Sequence, residues 1–166
     1  LVPLLVAIVN SDYLRHLYHE NLAYSPIVGQ LYVWTSGFAL FAFLITLARE
    51  LVKDIEDIEG DREMECRTAA IVWGTKNTKI IVSLILVITI ALISCIFFCV
   101  LPFPHSWNTL ATRYMLFGLN VPIVCAIVLL WAAKTPIEYH RAQVIIKFAM
   151  FMGVMYSFVI YQNLLG

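Results

Sequence analysis

The residues of this chain best suited to chemistry lie in one run, Arg49 to Thr68 (R-E-L-V-K-D-I-E-D-I-E-G-D-R-E-M-E-C-R-T). Eight of the eleven acidic residues fall between Glu50 and Glu65, with Arg49, Lys53, Arg62 and Arg67 interleaved. If the preceding segment continues as helix, Glu50, Asp54, Asp57 and Asp61 recur at i, i+4, i+7 and i+11 and share an arc of roughly 60°. Glu56, Glu59 and Glu63 then form a second line on the other side, and Gly60 is a candidate helix terminator. Two carboxylates about 6 Å apart repel by roughly 3 kcal/mol at an effective dielectric near 20. The carboxyl end of a helix also disfavours anions, so such a face predicts a compensating cation. Carboxylate oxygens suit Mg²⁺, which keeps positions open for water and substrate phosphates. The interleaved cations suit phosphate oxygens that the metal does not reach. The reading is a Mg²⁺-diphosphate site; the plain alternative is a solvated charge run.

These residues need a scaffold, and the rest of the chain indicates what kind. Its 166 residues are 61% hydrophobic and 13% charged, with a mean hydropathy of +0.85, against about 45–50% apolar and about 25% charged in a soluble domain. That excludes a water-soluble globule, and eleven Lys+Arg balanced by eleven Asp+Glu give no reason to expect a nucleic-acid partner. No Asp, Glu, Lys or Arg occurs in Asn21–Ala48, Ile80–Thr112, Tyr114–Ala133 or Phe148–Gly166. Each stretch is near or above the roughly 20 residues that cross a bilayer as helix. Spans are expected at about 27–47, 80–101, 114–133 and 144–164, with the aspartate-rich loop at 49–79 and a turn at Pro102, Pro104 and Trp107. Tyr32 and Trp34 suit the interface, and Pro122 is tolerable where neighbours satisfy the freed carbonyl. The apolar opening, Leu1 to Val9, is too short to span and reads as the tail of a helix. The chain is therefore expected to be the C-terminal part of a larger protein.

Alternate connections carry nine basic residues (Arg49, Lys53, Arg62, Arg67, Lys76, Lys79, Lys134, Arg141, Lys147) against two (Arg15, Arg113). The positive-inside rule then puts the acidic loop in the cytoplasm. Cys66, Cys95, Cys99 and Cys125 form no C-x-x-C pair, and Cys95 and Cys99, on one face of an apolar span, read as small packing residues. His16 and His19 with Glu20 have metal-ligand spacing but fall on the opposite side from the acids, and read as an interfacial loop. Lys147 reads as a snorkelling lysine, with a diphosphate contact as the alternative. Tyr156 and Tyr161 read as packing or lipid-facing residues.

The piece R-E-L-V-K-D-I-E-D-I-E-G-D-R (Arg49 to Arg62), with C-R-T (Cys66 to Thr68) and Gly74, resembles the second aspartate-rich motif of the UbiA family of intramembrane prenyltransferases. The likeness extends over essentially the whole chain. It is greatest to the branch whose acceptor is a glycerol-phosphate ether hydroxyl. The resemblance implies an all-α, polytopic transmembrane helix bundle, with four full spans plus the end of a fifth out of nine helices, and residues 1–166 as the C-terminal part of one such domain. It implies transfer of a polyprenyl group, geranylgeranyl in that branch, from its diphosphate to a lipid-soluble acceptor within membrane lipid. Asp54, Asp57 and Asp61 would hold Mg²⁺ on the diphosphate, while Lys53, Arg67 and Arg49 would bind substrate. The partner motif, N-x-x-x-D-x-x-x-D, would lie in N-terminal helices of the same protein, so this chain alone is expected to be inactive.

Two alternatives stand beside that reading: prenylation of an aromatic quinone precursor, and a transporter fragment with a cation-recruiting acidic loop. Mid-depth ionisable residues would favour the transporter, and the expected spans have none. The D-G-x-x-A-R signature of the CDP-alcohol phosphotransferases does not occur.

Overall fold

The computed structural model describes residues 26–100 and 110–165. The expectations for Leu1–Val9, for His16, His19 and Glu20, and for the Pro102–Trp107 turn lie outside them. All regular structure among the described residues is helical. In chain order the elements are α1 (Pro26–Glu56), α2 (Ile58–Glu63), α3 (Ala69–Trp73), α4 (Thr75–Cys95), a π-helical end Ile96–Val100, α5 (Leu110–Arg113), a π-helical stretch Tyr114–Asn120, α6 (Val121–Ala132) and α7 (Pro136–Leu165). The chain divides into two compact units, residues 1–42 and 43–166. In the first, residues 26–42 are helical; the second carries every contact described below.

Thr35–Glu56, Thr75–Phe98 and Leu110–Ala132 are long and apolar enough to cross a membrane, and they overlap the first three expected spans. The fourth, expected at 144–164, lies within α7, whose 30 residues exceed the roughly 20 required. The surface of the helices is apolar as well as the core, unlike that of a soluble protein. Leu84 and Val87 of α4, Val124 and Val128 of α6, and Phe148, Phe151 and Val154 of α7 are exposed. Thr78, Thr89, Thr112 and Gln143 are buried. The buried Thr78 and Thr89 hydroxyls donate to Gly74 O at 3.0 Å and Ile85 O at 2.8 Å, as buried polar groups must. Helices with apolar outer faces, whose backbone groups are bonded within the segment, suit lipid and not water. The chain is a multi-pass membrane protein.

Helix α6 packs along α7. On α7 the buried positions Ala142, Ile146, Ala149, Gly153 and Tyr156 recur at i, i+4, i+7, i+11 and i+14. On the other side Leu119, Ile123, Ala126 and Leu130 are buried. Small residues on both stripes permit the close backbone approach that drives association in lipid. Gly118 marks one such approach, since a Cβ there would lie 3.1 Å from the Tyr114 ring and 3.4 Å from Met152.

The π-helical stretch has a sequence cause. Pro122 lacks an N–H and its ring crowds the carbonyl four residues earlier, that of Gly118. Immediately before it the ladder widens, and Val121 N–H bonds to Leu116 O, an i to i+5 pair.

Candidate functional site

Helix α1 carries the acidic run because its last turns are amphipathic. Ile45, Ala48, Val52 and Ile55, at i, i+3, i+7 and i+10, are at most 2% exposed, which turns the intervening charged positions away from the core. The α-ladder does not stop at Glu56. Asp57 N–H bonds to Lys53 O and Asp61 N–H to Asp57 O, both at 2.9 Å, so α2 continues α1 across a single turn residue.

Gly60 lies inside α2 and does not end it. The helix ends at a Schellman motif: Cys66 N–H reaches Asp61 O at 2.9 Å and Glu65 N–H reaches Arg62 O at 3.3 Å. Glu65, with φ of 55°, holds the left-handed position where glycine is usual. This turn sends the chain back toward α1. There Ala69 N–H donates to Asp54 Oδ2 at 3.3 Å, capping the start of α3 from fifteen residues away. Thr68, the local N-cap residue, makes no such bond, and its hydroxyl is buried without a partner.

Glu50, Asp54, Asp57 and Asp61 all lie along α1 and α2. The charges of Asp61 and Glu50 act on the half-buried Asp54, with Lys53 opposing them. Asp57 is exposed, at the N-cap position of α2 with no capping bond from its carboxylate. Arg49 pairs with Glu50. Lys53 and Arg67 are exposed, Lys53 in the last turn of α1 and Arg67 on the returning strand of chain. Among the described residues no three His, Cys, Asp or Glu side chains form a group that could hold a metal. A three-residue cage is not what Mg²⁺ requires, since it binds through one or two carboxylates plus substrate phosphates. The oxygen-only chemistry of Asp54, Asp61 and Glu50 fits that ion.

Further residues gather at this end of the body, brought together by the fold. Lys79 donates to Ala133 O at 2.8 Å, at the end of α6, and its ammonium lies 4.8 Å from the ring centroid of Tyr139 in α7. Next to Tyr139, His140 Nδ1 is 2.9 Å from Glu56 Oε1. Trp131 Nε1 donates to Ser83 Oγ at 2.9 Å, a second tie between α4 and α6. The start of α7 is a capping box: Glu138 Oε2 accepts from Lys134 N at 2.7 Å and Thr135 N at 3.0 Å. These two bonds hold the Glu138 carboxyl below its ordinary value of 4.5. Lys147 is exposed further along α7. Cys66, Cys95 and Cys125 are free thiols. Tyr156 is buried against Tyr114, the rings stacked at 5.6 Å, and the side chain of Tyr161 lies outside the described residues.

A membrane bundle with an acidic arm folded against the ends of its helices defines a class, and comparison with known proteins identifies it. Residues 21–155 match the UbiA prenyltransferase family. The chain belongs to that family. It is 28% identical over 172 residues to a digeranylgeranylglyceryl phosphate synthase of Methanosphaera stadtmanae, covering 96% of this chain and 58% of the relative. The synthase of the same name from Methanopyrus kandleri is 26% identical over 171 residues, 92% of this chain and 60% of the relative. That of Pyrococcus abyssi is 42% identical over 72 residues, 41% of this chain and 26% of the relative. The chain thus spans a little over half the length of the first two. No solved structure matches it.

Proposed function

We propose that this chain is the C-terminal part of a prenyltransferase that moves a polyprenyl group, geranylgeranyl as in the name of its relatives, from diphosphate to a glycerol-phosphate ether hydroxyl. The observation that carries the reading is the return of the acidic arm onto Asp54, whose Oδ2 meets Ala69 N–H at 3.3 Å beside the helix ends, in a chain matched along 96% of its length by a digeranylgeranylglyceryl phosphate synthase. Asp54 and Asp61, with Asp57 one turn between them, would hold Mg²⁺. When bound, that ion would draw charge from the departing diphosphate oxygens.

The remaining work falls to the chain's own side chains. Lys53 and Arg67 are exposed beside the acids and can reach phosphate oxygens, neutralising charge where it develops as the allylic carbon–oxygen bond breaks. The electron pair of that bond leaves with the diphosphate. The acceptor oxygen then bonds to the allylic carbon and its proton is lost to solvent. Val52 and Ile55 at the base of the arm are buried and anchor it to the core.

The acidic arm is assigned to the cytoplasmic face by the nine-to-two distribution of basic residues. The partner motif, N-x-x-x-D-x-x-x-D, would come from other helices of the same protein. Asp57→Ala in the complete protein is the test, because Asp57 is exposed and caps nothing. Prenyl transfer should fall at least about 100-fold with the melting temperature unchanged. Full activity would remove the metal assignment.

A further inference from the structure

We infer that His140 is a positioning residue for the diphosphate site, clamping the acidic arm at Glu56 so that the Asp54 face keeps its azimuth; the inference rests on the function proposed above. Glu56 is the last residue of α1, and His140, 84 residues away, meets its Oε1 at 2.9 Å. Asp54 and Glu56 are two residues apart, hence about 200° apart around the helix, on opposite flanks of the Val52–Ile55 stripe. Ala69 N–H holds the Asp54 flank at 3.3 Å. The His140 Nδ1–H, donating to the carboxylate, holds the other. With both flanks tied, the last turn of α1 cannot roll, and the direction of Asp54, Asp61 and Glu50 is fixed together.

Which partner holds which follows from the surroundings. His140 stands on a braced element: Tyr139 beside it is buried under the Lys79 ammonium, Lys79 is bonded to Ala133 O, and the capping box secures the preceding turn. Glu56 stands on the end of an arm. Its second oxygen, Oε2, is buried with no partner, so the carboxylate is committed to this position through the single bond to His140. The pair is partly exposed, 54% at His140 and 20% at Glu56, and exposed pairs of this kind add little to stability. Its effect is on direction.

The experiment uses the complete protein with saturating Mg²⁺ and acceptor, varying geranylgeranyl diphosphate. His140→Ala should raise the KM for the diphosphate about tenfold, since small misplacements of positioning groups are costly, and leave the acceptor KM unchanged. His140→Asn, which can put an N–H near the Nδ1 position, should restore most of the loss. Unchanged diphosphate KM in His140→Ala overturns the inference, as does an equal rise in both KM values with a lowered melting temperature and no rescue by asparagine. In parallel, a spin label on Cys66 as sole cysteine, an exposed site on the arm, should become more mobile in His140→Ala and not in His140→Asn. An unchanged label overturns the clamp independently. If the parent transfers no prenyl group while the label responds, the proposed function fails and the clamp stands.

Discussion

Asp54 has two partners of different kinds, a backbone N–H that it caps and the like charges of Asp61 and Glu50. The first role was not legible in the sequence, because Thr68 is the residue type that normally caps and nothing local points fifteen residues back. The grouping of Asp54 with Asp61 was legible from helical spacing; the full exposure of Asp57 was not. The pairing of His140 with Glu56 is also invisible to periodicity, being a contact between elements rather than along one. Glu138 differs, because its bonds are local to its own turn, T-P-I-E (Thr135 to Glu138), which has the spacing of a capping box. Because folding holds its pKa below 4.5, its contribution is present above that value and is lost as pH falls through the depressed folded pKa. Glu138→Gln should therefore melt below the parent at neutral pH, with the gap closing as pH drops below 4.5. A gap that stays constant across this range would show that the charge of Glu138 is not what stabilises the turn.

Among the elements, three of the expected spans overlap helices long and apolar enough to cross a membrane, since apolar length is what a bilayer selects. The helix after α1 was misjudged at one point. Gly60 was the expected terminator, yet helices end where the chain turns left-handed, and that occurs at Glu65, with φ of 55°. Glycine's freedom is used instead at Gly74, whose φ of 81° and ψ of 152° lie where other residues rarely go. The two positions predict opposite responses to substitution. Glu65→Gly should stabilise by about 1 kcal/mol, because the left-handed conformation burdens any residue with a Cβ. Gly74→Ala should destabilise by about 1–3 kcal/mol through the backbone alone, since a Cβ there would meet nothing within 4 Å. Unfolding in detergent measures both, and two changes of the same sign would contradict the turn geometry.

At the scale of the molecule, an exposed apolar surface follows from composition, and the gathering of Glu56, Lys79, Ala133, Tyr139 and His140 at one end follows only from the fold. The proposed orientation makes a direct prediction. Cys66 is exposed on the acidic arm, so a membrane-impermeant maleimide should label it in inverted vesicles and leave it untouched in intact cells; the reverse pattern would turn the protein over. The π-helical stretch Tyr114–Asn120 ahead of Pro122 has a consequence for how such chains diverge. A π stretch accommodates one more residue than an α-helix between the same two ends, so it can take up an insertion within a membrane span. The added rotation is spent before Pro122. The helices that reach the acidic end keep their register, and length differences between relatives can accumulate in this span without disturbing the chemistry at its far end.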